Sequence, residues 1–203
     1  MSTAKILAFR RPERPTDVVL LRACAEGDRA ALGELFDRHA ESLTAFLTRL
    51  TGVREHEVDD LVQETFLAVF RSAASYADGA SVKTWLFAVG ANVARDRVRK
   101  ASRLSLLRAR FARWQSGVES RGPERLMQQT EAVRALAAAM AELPADLRTA
   151  FVMCDVEQLP GVEVAAALEL PTGTLYRRLH EARKRIREAM AEHDVPGERG
   201  KAP

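Results

Sequence analysis

The sequence predicts an all-α fold in which two small helical domains are joined by a linker. Three observations support this prediction. Alanine, leucine, arginine and glutamate dominate the 203 residues, a composition that favours helix over sheet. Apolar residues recur at helical spacing, and neither strand alternation nor an internal repeat is visible. Between the two halves the chain becomes dense in arginine and lysine and is then interrupted by glycine and proline, as expected for a linker.

The helices of the first domain are predicted from capping residues and from breaks in the apolar pattern. A capping side chain accepts hydrogen bonds from the unpaired amides of the first turn, and glycine ends a helix because it adopts left-handed backbone angles. The Glu57–Arg71 helix has the clearest pattern, an apolar stripe from Val58 to Phe70. The other boundaries are a cap at Thr16 or Asp17, a break at Gly27–Asp28, an end at Thr51–Gly52 and a cap at Ser81.

The second domain is predicted to contain a helix-turn-helix. Pro144 starts its first clear helix, because proline is tolerated in a first turn. A short helix, a tight turn and a longer basic helix then follow, which is the plan of a DNA-binding helix-turn-helix. The elements are a helix at Ala145–Glu157, a turn at Gln158–Gly161, a short helix at Val162–Leu168, a turn at Glu169–Pro171 and a long helix from Thr172 to about Glu192.

These elements divide the chain into five segments. Residues 1–15 contain prolines without a periodic pattern and are expected to be a flexible leader. Residues 16–101 are the first domain, residues 102–124 the linker, residues 125–193 the second domain and residues 194–203 a disordered tail. Apolar types make up 47% of the chain, which is enough for a buried core.

Composition predicts a cytoplasmic protein that is not an enzyme. Cys24 and Cys154 lack CxxC or metal-ligand spacing, so both are expected to be reduced and buried. The apolar run Ile6–Phe9 is too short for the core of a signal peptide. The sequence contains no run of about 18 apolar residues, so membrane insertion is not expected. Neither a P-loop nor an HExxH, GxSxG or dinucleotide motif is present. We therefore expect no catalytic residue, no metal, no cofactor and no small-molecule substrate.

The polar side of the Glu57–Arg71 helix forms an acidic face. An acidic surface with one exposed leucine suits docking to a basic protein partner. The alternative is a solvated face whose acids complement the helix dipole, and spacing alone favours that alternative. A metal site is not expected, because adjacent acids on a helix point in different directions. The acidic face comprises Asp59, Asp60, Gln63, Glu64 and Leu67.

The helix that follows Ser81 runs into a basic track. Between Arg95 and Arg113 there are eight arginines or lysines and one acid, a local charge of +7. Rings, amides and cations together suit unpaired bases, because rings stack, amides read base edges and cations hold the backbone. Trp85 also fits a core position, which is the favoured alternative for that residue, whereas Asn92 needs a polar partner. The candidate residues of the basic track are Trp85, Asn92, Arg95, Arg97, Arg99 and Lys100.

The long helix of the helix-turn-helix carries a second cationic surface, the readout face. Between Pro171 and Met190 six arginines or lysines stand against two glutamates, a local charge of +4. The N-terminal end of such a helix lies deepest in the major groove, and its exposed amides favour phosphate. The alternative is a solvated basic helix. The candidate contacts are Thr172, Thr174, Tyr176, Arg177 and His180 at or near bases, with Arg178, Arg183 and Lys184 at phosphates.

Four strings, in order, resemble one family, the extracytoplasmic-function (ECF) sigma factors of the sigma-70 family of bacterial RNA polymerase. The resemblance spans roughly residues 17 to 190, and four strings in the right order are far more specific than one. The string Glu57–Phe66 resembles the polymerase-clamp-binding helix. The promoter-melting segment of the family resembles Lys83–Phe87, together with Asn92–Ala94 and Asp96–Arg97. The second DNA-binding module resembles Leu143–Pro144 and Pro171–Leu175, together with Arg178–Leu179 and Ala182–Arg183. The fourth string is Gly27–Asp28 with Leu32–Phe36.

The resemblance implies a sigma region 2-like helical bundle followed by a region 4-like helix-turn-helix. The protein would direct RNA polymerase core to specific promoters and help to melt the −10 region for transcription initiation. The acidic face would bind the clamp of the largest polymerase subunit. Asn92, with Arg95, Arg97 and Arg99, would capture a base of the melted −10 element, and the readout face would bind the −35 element near the polymerase flap. The other expected partner is an anti-sigma factor.

Two departures from the family pattern and one alternative function remain. The string Gln158–Glu163 replaces a start similar to Gly-Leu-Ser-Tyr-Glu-Glu, so the serine cap is lost, and the pair Gly90–Ala91 is unusually small. The alternative is a free-standing helix-turn-helix regulator with an N-terminal dimerisation or sensor domain. That alternative leaves the acidic face and the surroundings of Asn92 unexplained.

Overall fold

The computed structural model describes residues 14–53, 55–77, 79–111 and 131–193. Over these residues every regular element is helical, which confirms the predicted all-α class. The expected leader, apart from Arg14 and Pro15, lies outside the described residues, as do linker residues 112–124 and the tail. Among the helices of the described segments, none has both the length and the hydropathy that a bilayer crossing requires.

The first module is a bundle of four helices, α1 to α4. Helix α2 packs against α1, α3 and α4, so it lies at the centre of the bundle. Helix α4 continues to Phe111, and residues 102–111, expected in the linker, are therefore helical. The elements are α1 (Asp17–Ala25), α2 (Arg29–Thr51), α3 (Glu55–Ser72), a 3-10 turn (Ala73–Ser75) and α4 (Val82–Phe111).

The capping residues of the first module act as predicted. Thr16 and Asp28 each accept hydrogen bonds from backbone amides in the first turn of the helix that follows. Gly52 ends α2 with a φ of 65°, a left-handed conformation that glycine adopts without strain. At the start of α4 the Ser81 hydroxyl accepts from the amide of Thr84 at 3.1 Å. Local chemistry therefore accounts for where these helices begin and end.

The core of the first module lies where α2, α3 and α4 meet. The rings of Phe46 on α2 and Phe87 on α4 stack with centroids 4.4 Å apart, and both side chains are fully buried. Gly90 marks a close approach, because a Cβ there would lie 3.1 Å from Leu43 Cδ1 and 3.4 Å from Leu47 Cδ2. Tight packing of α4 on α2 thus accounts for the small residue at this position.

Replacing Gly90 with valine is expected to destabilise the protein by about 1–3 kcal/mol, because a branched side chain would overlap the leucines of α2. Urea unfolding measures the change in the free energy of unfolding. Gly33→Ala is the matched control, since Gly33 also lies inside a helix but a Cβ there meets nothing within 4 Å. Alanine at that position is expected to stabilise the protein by about 0.5–1 kcal/mol. Equal responses of the two variants would contradict the close approach at Gly90.

The second module, α5 to α8, contains the predicted helix-turn-helix. Pro144 precedes α6, as predicted. The helix expected over Ala145–Glu157 is α-helical only in its first half and continues as a π-helical turn. Gln158 and Glu169 mark the two predicted turns, with φ angles of 55° and 54°. The elements are α5 (Glu131–Ala141), α6 (Ala145–Phe151), the π turn (Val152–Val156), α7 (Gly161–Ala167) and α8 (Thr172–His193).

Packing of α7 on α8 holds the helix-turn-helix together. Val164 and Ala165 are buried on α7, which packs against α8. Gly161 makes room for the ring of Tyr176, because a Cβ at Gly161 would lie 2.8 Å from the Tyr176 hydroxyl. One apolar stripe of α8 is buried, which leaves the opposite side of the helix exposed. This stripe consists of Leu175, Leu179, Ala182 and Ile186.

The two modules also contact each other. Helix α4 packs against α7, and α2 packs against the π turn. Buried apolar residues of both modules belong to one hydrophobic cluster. The part of the chain that the structure describes is therefore arranged with the two modules side by side and in direct contact.

Candidate functional site

The acidic face of α3 is open to solvent. Its four polar residues, Asp59, Asp60, Gln63 and Glu64, are all exposed, and Leu67 is 55% exposed. The opposite side of the same helix carries the predicted apolar stripe, which packs into the core of the first module. An apolar side chain surrounded by exposed acids is suited to contact a basic protein surface.

Arg97 connects the acidic face to the basic track. Its Nη2 lies 3.4 Å from Asp60 Oδ2, and its Nη1 lies 4.0 Å from Glu64 Oε1. The side chains of both acids are nevertheless more than half exposed, at 62% and 55%. Exposed ion pairs contribute little to stability, so this guanidinium can exchange its partners for others at little cost.

Trp85, one of the predicted members of the basic track, is buried. The residue is 9% exposed, and the Tyr76 ring meets its indole edge-on with centroids 5.7 Å apart. This burial favours the core interpretation of Trp85, because an enclosed indole presents no face on which a base can stack.

The remaining members of the basic track lie on the accessible side of α4. Asn92 is exposed, and its side-chain oxygen accepts a hydrogen bond from Arg95. Arg95 also pairs with Asp146 of α6, with Nη1 and Oδ1 3.2 Å apart. Arg99 and Lys100 are exposed on the next turn of α4. The track thus presents one amide flanked by cations, an arrangement suited to an unpaired base with its phosphates.

The readout face lies on the exposed side of α8. Most residues of the readout face belong to the first three turns of α8, close to the helix N-terminus. The unpaired backbone NH groups there favour an approaching phosphate. Tyr176 is 50% exposed, although its hydroxyl lies over Gly161. The exposed members are Thr172, Tyr176, Arg177, His180, Arg183 and Lys184, and the half-buried members are Thr174 and Arg178.

Acids of the second module orient two cations of the readout face. Arg178 Nη2 lies 2.9 Å from Asp146 Oδ2. Arg183 donates two hydrogen bonds to the Asp155 carboxylate, at 2.8 and 2.6 Å, and these bonds raise the pKa of Arg183. The planes of both guanidinium groups are therefore held by the protein before any nucleic acid binds.

Sequence reasoning missed three carboxylates of the second module that contact the first module. Glu163 accepts hydrogen bonds from the Ser81 amide and the Thr84 hydroxyl, and Glu157 and Asp146 form ion pairs with arginines of α2 and α4. No sequence signal connects these partners, since Ser81 and Glu163 are 82 positions apart. Only the relative placement of the two modules brings them together.

The described residues offer no group of three or more histidine, cysteine, aspartate or glutamate side chains placed to hold a metal ion. Cys24 is buried, Cys154 is half-buried, and both are free thiols. Burial raises the pKa of both thiols, which disfavours the reactive thiolate at neutral pH. The candidate functional surfaces of the described residues are the acidic face, the basic track and the readout face.

Two family models match the chain, one on each module. Sigma-70 region 2 matches residues 35–104, a stretch that contains the acidic face and the basic track. Sigma-70, region 4 matches residues 133–186, which contain the readout face. The order of the two matches is the order of the two modules in the structure.

Named relatives and a solved structure agree with the family models. ECF RNA polymerase sigma factor SigE of Mycolicibacterium smegmatis is 34% identical over 172 residues, which cover 83% of this chain and 66% of that protein. The ECF RNA polymerase sigma-E factor of Salmonella typhimurium is 30% identical over 183 residues, covering 86% of this chain and 94% of that protein. The structure of CnrH in complex with the cytosolic domain of CnrY matches with a TM-score of 0.58 at 26% identity, covering 88% of this chain and 99% of the matched chain. Because these matches span both modules, the chain belongs to the ECF family of RNA polymerase sigma factors.

Proposed function

We propose that this ECF sigma factor directs RNA polymerase core to specific promoters and helps to melt their −10 region, without catalysing a reaction itself. The observation that carries the proposal is the presence of one acidic and two cationic surfaces on the same scaffold. The acidic face and the basic track lie on the first module, and the readout face lies on the second. One acidic surface suits a basic protein, and two cationic surfaces suit nucleic acid. These partners are found in the cytoplasm, which is the compartment we propose.

The acidic face is the proposed contact with the clamp of the largest polymerase subunit. Asp60 and Glu64 lie one turn apart on α3, and Leu67 follows on the same side of the helix. A protein interface generally has an apolar centre and a polar rim, and Leu67 would supply that centre. Asp59 and Gln63 would extend the polar rim.

The basic track is the proposed contact with the melted −10 element. Asn92 has the donor and acceptor groups that read a base edge, and Arg95, Arg97, Arg99 and Lys100 provide cations for the flanking phosphates. Trp85 is left out of the stacking role because it is buried. Arg97 is shared with the acidic face, which places the proposed polymerase and DNA contacts side by side.

The readout face is the proposed contact with the −35 element, with the second module near the polymerase flap. Tyr176, Arg177 and His180 are exposed on the first turns of α8, from which side chains reach base edges in the major groove. Thr172 and Thr174 lie at the helix start, where contacts to the backbone next to the bases are common. The phosphate contacts are Arg178, Arg183 and Lys184.

An anti-sigma factor is the further partner that we propose. CnrH, whose structure is similar, was solved in complex with the cytosolic domain of CnrY. Both modules of the present chain carry exposed apolar side chains of the kind that protein partners cover. Val162 on α7 is 63% exposed, and Phe36 on α2 is 40% exposed.

The alternative, a free-standing helix-turn-helix regulator, is not favoured. That function would explain α7, α8 and the readout face. It gives no role to the acidic face or to the Asn92 surroundings, and it does not account for the match of residues 35–104 to Sigma-70 region 2.

Binding of promoter DNA with and without polymerase core tests the proposed function. Promoter fragments are first selected from genomic DNA of the native cell with the reconstituted holoenzyme. A mobility shift then measures binding of these fragments, and permanganate reactivity measures unpaired thymines. We expect strong binding and reactive −10 thymines only when core and the protein are both present, with core alone as the control. Tight sequence-specific binding by the protein alone would favour the regulator. Failure to bind core would contradict the proposal.

A further inference from the structure

The Tyr176 ring of the readout face lies against Gly161, the first residue of α7. A Cβ added at Gly161 would lie 2.8 Å from the Tyr176 hydroxyl oxygen, 3.1 Å from Cζ and 3.2 Å from Cε1. These three atoms belong to one edge of the ring at its outer end, so that edge rests directly on the backbone of α7. Any residue other than glycine would overlap the ring in this position, because its Cβ would lie closer to the hydroxyl than atoms pack.

The rest of the ring is open to solvent, since Tyr176 is 50% exposed. Among the eight residues of the readout face, Tyr176 has the largest apolar side-chain surface, whereas the others are threonines, a histidine and cations. An aromatic ring combines an apolar face with a polar tip, and covering that face is favourable. The readout face therefore presents one apolar surface among polar and charged groups.

Tyr176 shares one row of α8 with His180 and Arg183, at spacings of four and three residues. At the far end of this row, the Asp155 carboxylate accepts two hydrogen bonds from Arg183, at 2.8 and 2.6 Å. Asp155 belongs to the π turn, and a short stretch of chain leads from that turn to Gly161. The same short segment therefore fixes both ends of the row, one by hydrogen bonds and the other by contact with the ring.

A ring held in this place suits the methyl group of a thymine. In the major groove thymine presents an apolar group, its C5 methyl, and apolar side-chain surface contacts that methyl. Tyr176 lies on the early turns of α8, the part of a recognition helix that contacts base edges. A ring that is already positioned loses less conformational freedom on contact than a mobile one. The contact with Gly161 therefore favours an apolar contact to one base pair.

We propose that Gly161 is a positioning residue, which holds the Tyr176 ring for contact with the C5 methyl of one thymine in the −35 element. The inference rests on the proposed function, because it names the chemical group that one residue of the readout face recognises. It also gives a role to a glycine of the Gln158–Glu163 string, which departs from the family pattern. The preference for this base pair depends on two residues that lie on different helices.

Replacement of thymine by deoxyuridine, which lacks only the C5 methyl, tests the contact. A −35 element is selected with the reconstituted holoenzyme, and each thymine of both strands is then replaced in turn. We expect the wild-type holoenzyme to lose affinity about 3- to 5-fold at one position, as for one methyl removed from an apolar contact. With Tyr176→Ala the thymine and deoxyuridine probes should bind equally at that position. With Tyr176→Phe the discrimination should remain, because the ring is kept.

Gly161→Ala tests the positioning role. The added methyl meets the far end of the Tyr176 side chain, which can move, so the fold should survive, as circular dichroism verifies. We expect the discrimination to be lost at the same position and to be unchanged at the other thymines. In the Tyr176→Ala background, Gly161→Ala should have no further effect, because the two residues act as a unit. Gly33→Ala is the matched control, since a Cβ there meets nothing within 4 Å, and it should preserve the discrimination.

Several results would overturn this inference. They are equal binding of all deoxyuridine probes by the wild-type holoenzyme, or discrimination that persists in Tyr176→Ala. Loss of discrimination in Tyr176→Phe would assign the contact to the hydroxyl instead of the ring, and full discrimination in Gly161→Ala would remove the positioning role. Each of these results leaves selective promoter binding by the holoenzyme intact. Failure of the holoenzyme to select any −35 element would instead contradict the proposed function, and this inference with it.

Discussion

Replacing Asp60 and Glu64 together with lysine is expected to abolish binding to RNA polymerase core while the helical fold is kept. Both side chains are more than half exposed, so no core packing is lost. On a partner surface of positive charge, two reversals turn attraction into repulsion, and like charges across an interface cost several kcal/mol. We expect the Kd for core to rise at least about 100-fold, which corresponds to about 2.7 kcal/mol. Fluorescence anisotropy of the labelled protein with purified core measures this change.

The matched control for this variant combines Asp37→Lys with Glu41→Lys. These acids are exposed on α2 and have the same four-residue spacing, so the change in net charge and in helix surface is the same. The control is expected to bind core with an affinity near that of the wild type. Circular dichroism and thermal unfolding show whether both variants are folded. Equal binding by the Asp60 and Glu64 variant and the wild type would exclude the acidic face as the docking site.

The contact with Arg97 requires a further control. Lysine at positions 60 and 64 also removes the acids that orient the Arg97 guanidinium, so a defect in Arg97 placement has to be separated from loss of the acidic face. Arg97→Ala removes the same contacts from the other side and leaves the face acidic. We expect this variant to bind core normally and to lose promoter melting. A loss of core binding with Arg97→Ala would instead assign the effect to the arginine.

The helix boundaries could be predicted because they depend on chemistry within a few residues. Thr16, Asp28 and Ser81 cap helices through hydrogen bonds to amides two or three positions away, and Gly52 ends α2 through its own φ angle. The buried stripes of α3 and α8 follow equally directly from the 3.6-residue period. The exposed acidic and cationic faces are the complements of these stripes, which is why their residues could be named from spacing alone.

The contacts between the modules could not be predicted, because they depend on tertiary placement. Glu163 reaches the start of α4 across 82 positions, and Glu157 reaches Arg49 across 108. The spacing of apolar residues allowed Trp85 to lie either in the core or on the surface. The structure buries its indole, with the Tyr76 ring packed edge-on against it. The small size of Gly90 was visible as a departure, but its cause, the proximity of two leucines of α2, required coordinates.

Replacing Arg177 and His180 with alanine is expected to reduce −35-dependent transcription by about 10- to 100-fold. Both residues are exposed on the early turns of α8, whereas the stripe that packs α8 into its module points the other way, so the fold is expected to survive. An arginine that meets a base edge through two hydrogen bonds contributes about 1–3 kcal/mol of discrimination. Transcription in vitro from paired templates, one with the selected −35 element and one with it scrambled, measures the effect as a ratio.

Arg185→Ala is the matched control on the same helix. Arg185 is exposed and pairs with Glu181 at 2.7 Å, but it lies two turns further from the helix start. We expect its loss to lower transcription slightly on both templates and to leave their ratio unchanged. The Arg177 and His180 variant should instead bring the selected template down to the level of the scrambled one. An unchanged ratio would remove both residues from the readout of bases.

Salt dependence separates base contacts from phosphate contacts on this helix. Each phosphate contact that is lost reduces the slope of log affinity against log salt by roughly one, whereas loss of a base contact leaves the slope nearly unchanged. The slope of the Arg177 and His180 variant is therefore expected to match the wild type even though its affinity is lower. Lys184→Ala, at a proposed phosphate position, should lower the slope and preserve the template ratio. A lower slope for the Arg177 and His180 variant, with a lower template ratio for Lys184→Ala, would instead assign Arg177 and His180 to phosphates and Lys184 to a base.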